Sequence, residues 1–259
     1  MNLDAYRQFT QSLTERCKKD GRIIGLIALG SMADQDYAPD QWSDHDFFLI
    51  TQPGQQQSVK NDLSWLPNAE NVIFLHQETH FGLRAFYHHG HLIELAIFDL
   101  NELSVARANR YRVLVDKGQV EAAIKTVVTT TEEIANKQAD NIDEAFAHFL
   151  SNIWVGYGRY QRGEKLSGHE FVKNHALINL IKLIQHYSPA DNHAQLDNLN
   201  PLRRFEQCYP ELGQELMDAM AHSFDQTCLQ FLGISERELH DRIPNFPSKL
   251  YQVLYAYLT

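Results

Sequence analysis

Two aspartates separated by one residue form the segment of the chain whose spacing most strongly suggests chemistry. Asp44 and Asp46 stand at the start of an apolar run, Phe47–Thr51, which is predicted to form a strand. Side chains at positions i and i+2 of a strand point to the same face, roughly 6.6 Å apart along it. Two carboxylates so placed repel each other unless a cation lies between them. The spacing therefore indicates an Mg²⁺ site, because Mg²⁺ usually binds one or two carboxylates together with substrate phosphates.

Two further features would complete such a site. Gly30 and Ser31 follow the β-branched run Ile23–Leu29. Glycine lets the backbone approach a phosphate closely, and the serine hydroxyl and nearby N–H groups can donate hydrogen bonds to it. Glu94 lies inside the apolar segment His91–Leu100, where a lone acid is costly unless it is paired or bound to metal. Strand alternation allows Glu94 to share a face with the two aspartates.

Each feature alone also has a plain structural explanation. Acids often flank strands, Gly-Ser is a common turn, and Glu94 would be tolerated at an exposed edge. The combination favours a metal and phosphate site over these separate explanations.

The histidines near this segment are expected to be structural. His45, between the aspartates, is expected to point to the other face. His88, His89 and His91 are expected to form a polar hairpin tip rather than a transition-metal site, because the spacing of Cys or acidic ligands is missing.

Composition narrows the class of protein. The 259 residues include 33 acids and 23 Lys or Arg, a formal net charge of −10, which counts against general binding to nucleic acid. Cys17, Cys208 and Cys228 are far apart and odd in number, so neither a disulfide framework nor a zinc site is expected. The segment Met1–Asp4 has no apolar core, and no apolar run approaches the ~18 residues of a membrane span. A cytoplasmic protein without membrane contact is expected.

The pattern of apolar residues changes near residue 120 and predicts two domains. Residues 1–120 contain short apolar runs separated by turns, after an amphipathic helix over Leu3–Lys19. Residues 121–259 have helical periodicity throughout. Ser167 and Ser235 each begin a capping-box motif and are predicted to start helices. The expected fold class is α+β: an N-terminal domain with a small mixed sheet and flanking helices, followed by a C-terminal helical bundle.

At this point the sequence resembles a known family. Gly30–Ala33 together with Trp42–Asp46 resembles the signature of the DNA polymerase β-type nucleotidyltransferase superfamily. Within it, the chain resembles most the antibiotic nucleotidyltransferases, such as the lincosamide and aminoglycoside adenylyltransferases. Ile93–Ile97 resembles their third-carboxylate strand, Tyr111–Lys117 the segment joining their two domains, and Asn200–Glu206 the helical domain of the lincosamide enzymes.

The resemblance implies a reaction and a set of catalytic residues. A substrate hydroxyl would attack the α-phosphorus of a nucleoside triphosphate in line and release pyrophosphate. Asp44 and Asp46 would hold Mg²⁺, with two ions expected at the site. Glu94 would either bind the catalytic metal or act as general base for the acceptor hydroxyl, and the sequence leaves these two roles open.

The resemblance also implies residues that bind the nucleotide, with ATP or another nucleoside triphosphate as co-substrate. Gly30 and Ser31 would cradle the terminal phosphates, and Ser43 belongs to the same signature. Similar enzymes often supply a lysine from the helical domain, for which Lys173 and Lys182 are candidates. A solvated helix lysine is the alternative for each.

The sequence thus predicts an enzyme, a Mg²⁺-dependent nucleotidyltransferase that moves AMP from ATP to a small hydroxylated acceptor. An antibiotic acceptor, and hence a role in antibiotic resistance, is suggested by the resemblance alone. The second domain is expected to bind substrate or to mediate a homodimer. The alternative is an antitoxin or regulatory protein of the same fold that modifies or binds a protein partner.

Overall fold

The computed structural model of the protein describes residues 1–35, 37–139 and 141–259. The chain divides into two compact units, Met1–Glu133 and Ile134–Thr259. Within the described residues, the first unit contains a mixed six-stranded sheet with flanking helices, and the second is helical. The prediction of an α+β protein with a mixed sheet is confirmed.

The sheet of the first unit is antiparallel except at one central pairing. Its strands are β1 (Ile23–Leu29), β2 (His45–Thr51), β3 (Val72–Gln77), β4 (Gly82–Tyr87), β5 (Leu92–Phe98) and β6 (Tyr111–Asp116). They lie in the order β3-β4-β5-β2-β1-β6, and β2 pairs with β5 in parallel. Strand β6 was not predicted: the segment that resembles a domain connection pairs with β1 as a sheet edge.

Helices cover the two faces of this sheet unequally. The first unit contains α1 (Leu3–Lys19) and α2 (Gln56–Asn61), and α3 (Val120–Ala139) begins in it. Helix α1 packs Phe9, Leu13 and Cys17 into one core with the strands. Helix α3 packs against the opposite face. Its Val120 side chain lies so close to Gly25 that a Cβ added to Gly25 would be only 2.6 Å from it. This second face stays partly open around the residues of the predicted site.

The second unit is a bundle of helices around its own apolar core. The helices are α4 (Ile142–Gln161), α5 (Lys165–His169), α6 (Leu177–Tyr187), α7 (Phe205–Cys208), α8 (Pro210–Ala221), α9 (Phe224–Leu239) and α10 (Ser248–Leu258). A π-helical segment, Glu170–Ala176, joins α5 to α6 without a break. The core includes Phe149, Leu180 and Phe231, all fully buried.

Both helix starts predicted from capping boxes are wrong. The helix around Ser167 has already begun at Lys165, and the Ser167 hydroxyl accepts a hydrogen bond from Arg159. Ser235 lies inside α9, where its buried hydroxyl donates to the carbonyl of Leu232. In both places the preceding residues continue the helix, so the serine never becomes its first residue.

The three cysteines are buried and free. Burial raises the pKa of Cys17 and of Cys228 to about 12, so both thiols are protonated near neutral pH. Nowhere in the described parts of the chain is a helix both long enough and apolar enough to cross a membrane.

Candidate active site

The turn after β1 requires a glycine. Gly30 has φ of +51°, a left-handed conformation that costs other residues about 1–2 kcal/mol. It opens a short 3₁₀ turn, Gly30–Ala33. A Cβ at Gly30 would lie 3.8 Å from Oδ2 of Asp46 and 3.9 Å from the hydroxyl of Tyr37. The absent side chain therefore leaves a small space that faces the carboxylate of Asp46.

The register of the central parallel strands brings two of the predicted carboxylates together. Asp44 directly precedes β2, and Asp46 is its second residue. The Cα partner of Asp46 on β5 is Glu94. Because neighbouring strands lie about 4.8 Å apart, the two residues are adjacent on the same face. The three predicted carboxylates are partly exposed, so a ligand could reach them: those of Asp44, Asp46 and Glu94.

Glu94 already has a partner on the next strand. Arg84 of β4 is its cross-strand neighbour, and Nε of Arg84 lies 2.6 Å from Oε1 of Glu94. Nη2 of the same guanidinium lies 3.2 Å from Oε2 of Glu78. The Nε atom is buried and has no aligned hydrogen-bond acceptor, so the contact with Glu94 is electrostatic rather than a good hydrogen bond.

The hydroxyl of Tyr6, on α1, is a point where several site residues converge. It donates a 2.9 Å hydrogen bond to the backbone carbonyl of Asp44. Burial raises the pKa of Tyr6, a hydrogen bond with Ser31 lowers it, and the charges of Asp44 and Asp46 raise it further. These contributions require that all three residues lie near the Tyr6 hydroxyl. Tyr6 thus links the glycine turn to the aspartates.

Behind the aspartates, two histidines form a buried pair. Nδ1 of His45 lies 2.8 Å from Nε2 of His91, and Nε2 of His45 lies 2.9 Å from the Thr10 hydroxyl. The Tyr6 ring stacks on His45 at 3.8 Å. Burial lowers the pKa of His45 to about 3 and that of His91 to about 4, so both rings are neutral at pH 7.

The structure corrects one of the histidine predictions. His45 points away from the aspartate face, in agreement with strand alternation. His88 and His89 are exposed at the hairpin turn as expected, but His91 is buried with 4% of its surface exposed. His91 contributes to the core beneath β2 and not to the hairpin tip.

Ser43 has a role in the loop before β2. Its hydroxyl accepts a hydrogen bond from the backbone N–H of Asp40 at 3.0 Å and donates one to the Asp40 carboxylate at 3.1 Å. These bonds close the turn that leads the chain into Asp44. A contact between Ser43 and a nucleotide stays a prediction.

The lysines of the second unit have separate environments. The ammonium of Lys173 donates to the carbonyl of Met220 at 2.7 Å, at the C-terminal end of α8, where positive charge is stabilising. Lys182 lines a cleft of about 510 Å³ together with Gln185 and His186. A contact between Lys173 and the triphosphate stays a prediction.

The donor set fits a divalent cation in its chemistry, although its side chains are not gathered around one point. Among the described residues, no group of three or more His, Cys, Asp or Glu side chains is arranged to hold a metal ion. The carboxylate of Glu94 contacts Arg84 on the far side from Asp46. Asp44 and Asp46 offer hard oxygen ligands beside the space at Gly30, which is the environment that Mg²⁺ with a phosphate needs.

Two arginines lie near the site that were not predicted from the sequence. One is Arg84, the partner of Glu94. Arg112 of β6 donates from Nη2 to the carbonyl of Met32 in the 3₁₀ turn, at 3.2 Å, and its charge also acts on the Tyr6 hydroxyl. Neither could be found without the strand pairings, because Arg84 lies ten residues from Glu94, and Arg112 lies about eighty residues from the turn.

Comparison of the chain with protein-family models and with curated proteins gives no match. Among solved structures, the chain is similar to an aminoglycoside 6-adenyltransferase from Bacillus subtilis. The two have 11% sequence identity over 96% of this chain and 95% of that chain, with a TM-score of 0.33. A TM-score this low does not show a shared fold, so only the geometry of the site can support an activity.

Proposed function

We propose that this chain is a divalent-metal-dependent nucleotidyltransferase that moves AMP from ATP to a hydroxyl of a small acceptor. The observation that carries the proposal is the register of β2 and β5, which sets Asp46 beside Glu94 next to the glycine turn at Gly30. Both carboxylates are partly exposed on this face of the sheet, so a bound cation and nucleotide can reach them.

The order of the strands supports an in-line displacement. The turn at Gly30 follows β1, on one side of β2, and Glu94 lies on β5, on the other side. In phosphoryl transfer the attacking and leaving oxygens lie roughly in line. Pyrophosphate leaving on the side of the turn therefore places the attacking hydroxyl on the side of Glu94.

Each group then has a chemical role that its position allows. Gly30 and Ser31 bind the terminal phosphates, and Arg112 beside the turn offsets the charge of the departing pyrophosphate. A divalent ion at Asp44 and Asp46 would neutralise charge on the triphosphate. Glu94 accepts the proton of the acceptor hydroxyl or joins the aspartates as a ligand. Arg84 contacts the Glu94 carboxylate and holds it in place on β5.

The test is nucleotide binding followed by transfer. Wild type should bind Mg·ATP in isothermal titration calorimetry, and Asp46→Asn should weaken binding by about tenfold or more, since a charge-assisted interaction is lost. Asp4→Asn, an exposed acid in the first turn of α1, is the matched control and should bind like wild type. Absence of Mg·ATP binding in wild type, or equal binding in Asp46→Asn, would contradict the proposal.

Transfer itself is measured with α-labelled ATP and a panel of hydroxylated acceptors, including lincosamides and aminoglycosides. Label in an acid-soluble product supports a small acceptor. Label in acid-precipitable protein would support the alternative, a regulatory protein that modifies a protein partner. Glu94→Gln distinguishes the two roles of Glu94, because loss of a base slows transfer at unchanged Mg·ATP affinity, whereas loss of a ligand weakens that affinity.

A further inference from the structure

The face of the sheet that carries Asp46 and Glu94 continues into an exposed aromatic surface. On this face Phe86 of β4 and Phe74 of β3 are cross-strand partners, with ring centroids 5.8 Å apart. Phe74 is 57% exposed and Phe86 is 38% exposed. We propose that Phe74 and Phe86, together with Arg84, form the acceptor subsite, and that the acceptor is a hydroxylated molecule with a planar apolar face. This proposal rests on the proposed nucleotidyl transfer.

The strand register places this surface next to the reacting groups. Arg84 is the partner of Glu94, and Phe86 is the partner of Leu92, two residues before Glu94 on the same face. Phe86 therefore lies roughly 7 Å along the strand from Arg84 and towards the end of β2 where Asp44 lies. An acceptor whose hydroxyl reaches Glu94 would rest its body on these rings.

The topology also assigns the aromatic surface to the acceptor rather than to the phosphates. The glycine turn lies beyond β2 on the side of β1, whereas Phe86 and Phe74 lie beyond β5 on the side of β4 and β3. The two ends of an in-line displacement occupy opposite sides of the phosphorus. With pyrophosphate at the turn, the side of β4 and β3 remains for the molecule that attacks.

The guanidinium of Arg84 lies between the rings and Glu94 on this face. It contacts both Glu94 and Glu78, the acids that flank it. The Arg84 side chain is 40% exposed, so an oxygen of the acceptor can accept a hydrogen bond from its N–H groups.

The same strand offers a matched control for Phe74. Leu75 is the cross-strand partner of Ala85 and therefore lies on the opposite face of β3, away from Glu94. It is an apolar residue that is 42% exposed. A ligand that stacks on the rings should depend on Phe74 and Phe86 and should be indifferent to Leu75.

The experiment uses 4-nitrophenyl β-glucoside as the probe, a neutral sugar with hydroxyl groups and a planar apolar face. Binding to the full chain is measured by saturation-transfer NMR with a non-hydrolysable Mg·ATP analogue present. Each substitution removes one stacking contact, so Phe86→Ala and Phe74→Ala should each weaken the probe about three- to tenfold. Leu75→Ala should bind it like wild type, and methyl β-glucoside, which lacks the ring, should bind more weakly than the probe.

Several outcomes would overturn the subsite. These are no probe binding to wild type, equal losses in Leu75→Ala and Phe74→Ala, or displacement of the probe by kanamycin, a hydroxylated sugar without a planar apolar face. Weakened Mg·ATP binding in Phe86→Ala, measured by calorimetry, would assign the rings to the nucleotide base instead. Phe86→Leu and thermal melting confirm that losses do not come from unfolding. If wild type binds the probe but not Mg·ATP, the proposed function fails while the aromatic surface remains a binding site.

Discussion

At the start of β2, polar side chains are buried on one face of the sheet and partly exposed on the other. Under α1, His45 is fully buried, and its two ring nitrogens are hydrogen-bonded to Thr10 and His91. One residue further along, on the other face, Asp46 is partly exposed beside Glu94, with aromatic rings in solvent on the neighbouring strands. The first arrangement stabilises the fold, whereas the second keeps charge and apolar surface accessible. Stability and proposed function therefore depend on opposite faces of the sheet, so substitutions on the two faces should affect different measurements.

The largest effect is expected on the open face. Asp44→Asn should lower nucleotidyl transfer by about a hundred- to a thousandfold, because it removes charge that stabilises the reacting phosphates. The thermal melting temperature should stay close to that of wild type, since the Asp44 carboxylate is partly exposed and its backbone carbonyl keeps the bond from Tyr6. Transfer is measured as pyrophosphate release. A variant that melts much earlier would show that the open face also stabilises the fold.

The buried face should respond in stability. His91→Leu leaves Nδ1 of His45 buried without its partner, which costs about 1–3 kcal/mol. Urea unfolding followed by circular dichroism measures the loss. His88→Leu changes an exposed histidine of the same hairpin and is the control. Equal stability of wild type and His91→Leu would mean that the pair does not stabilise the unit.

The same pair predicts an acid-sensitive fold. The pKa values of His45 and His91 lie near 3 and 4, below the ordinary value of 6.5. Between these values and pH 6.5, the unfolded chain therefore binds more protons than the folded chain. Their contribution to stability is fully present above pH 6.5 and is lost as the pH falls from there towards 4 and 3. The urea midpoint measured at pH 7, 6 and 5 should decrease more steeply for wild type than for His91→Leu. Parallel curves would assign the acid sensitivity to other groups.

Tyr6 connects the two faces, and its substitution should have the smallest effect on each. Tyr6→Phe keeps the ring that stacks on His45 and removes only the hydroxyl that donates to Asp44. The expected loss is about 0.5–1.5 kcal/mol in the free energy of unfolding, with a modest decrease in Mg·ATP affinity. Urea unfolding and calorimetry give both quantities. A change in stability without any change in Mg·ATP affinity would show that Tyr6 does not position the site.

Local sequence signals were sufficient for some elements of the first unit. The predicted limits of Leu3–Lys19 and Ile23–Leu29 match α1 and β1. The helix has a continuous amphipathic pattern that ends before Asp20 and Gly21, and the strand is a run of β-branched and apolar residues whose seven positions are all buried. In both cases the information lies within one short segment.

One element that depends on a distant partner was not predicted. Strand β6, Tyr111–Asp116, forms because β1 offers it an edge, although about eighty residues separate them. The capping-box motif at Ser235 is present but does not begin a helix, because the Ser235 hydroxyl is hydrogen-bonded to Leu232 and Tyr251 within a packed helical unit. Tertiary packing overrides a local motif wherever it satisfies the same polar groups in another way.

The candidate residues and their faces could be predicted from the sequence, since a period of two places Asp44 and Asp46 on one side of a strand and His45 on the other. Which residues meet on that face depends on the fold. The parallel register of β2 and β5 sets Glu94 beside Asp46, and the antiparallel register of β4 and β5 gives Glu94 an arginine partner. Alternation is a local property of an extended chain, whereas register depends on the packing of all the strands and helices together.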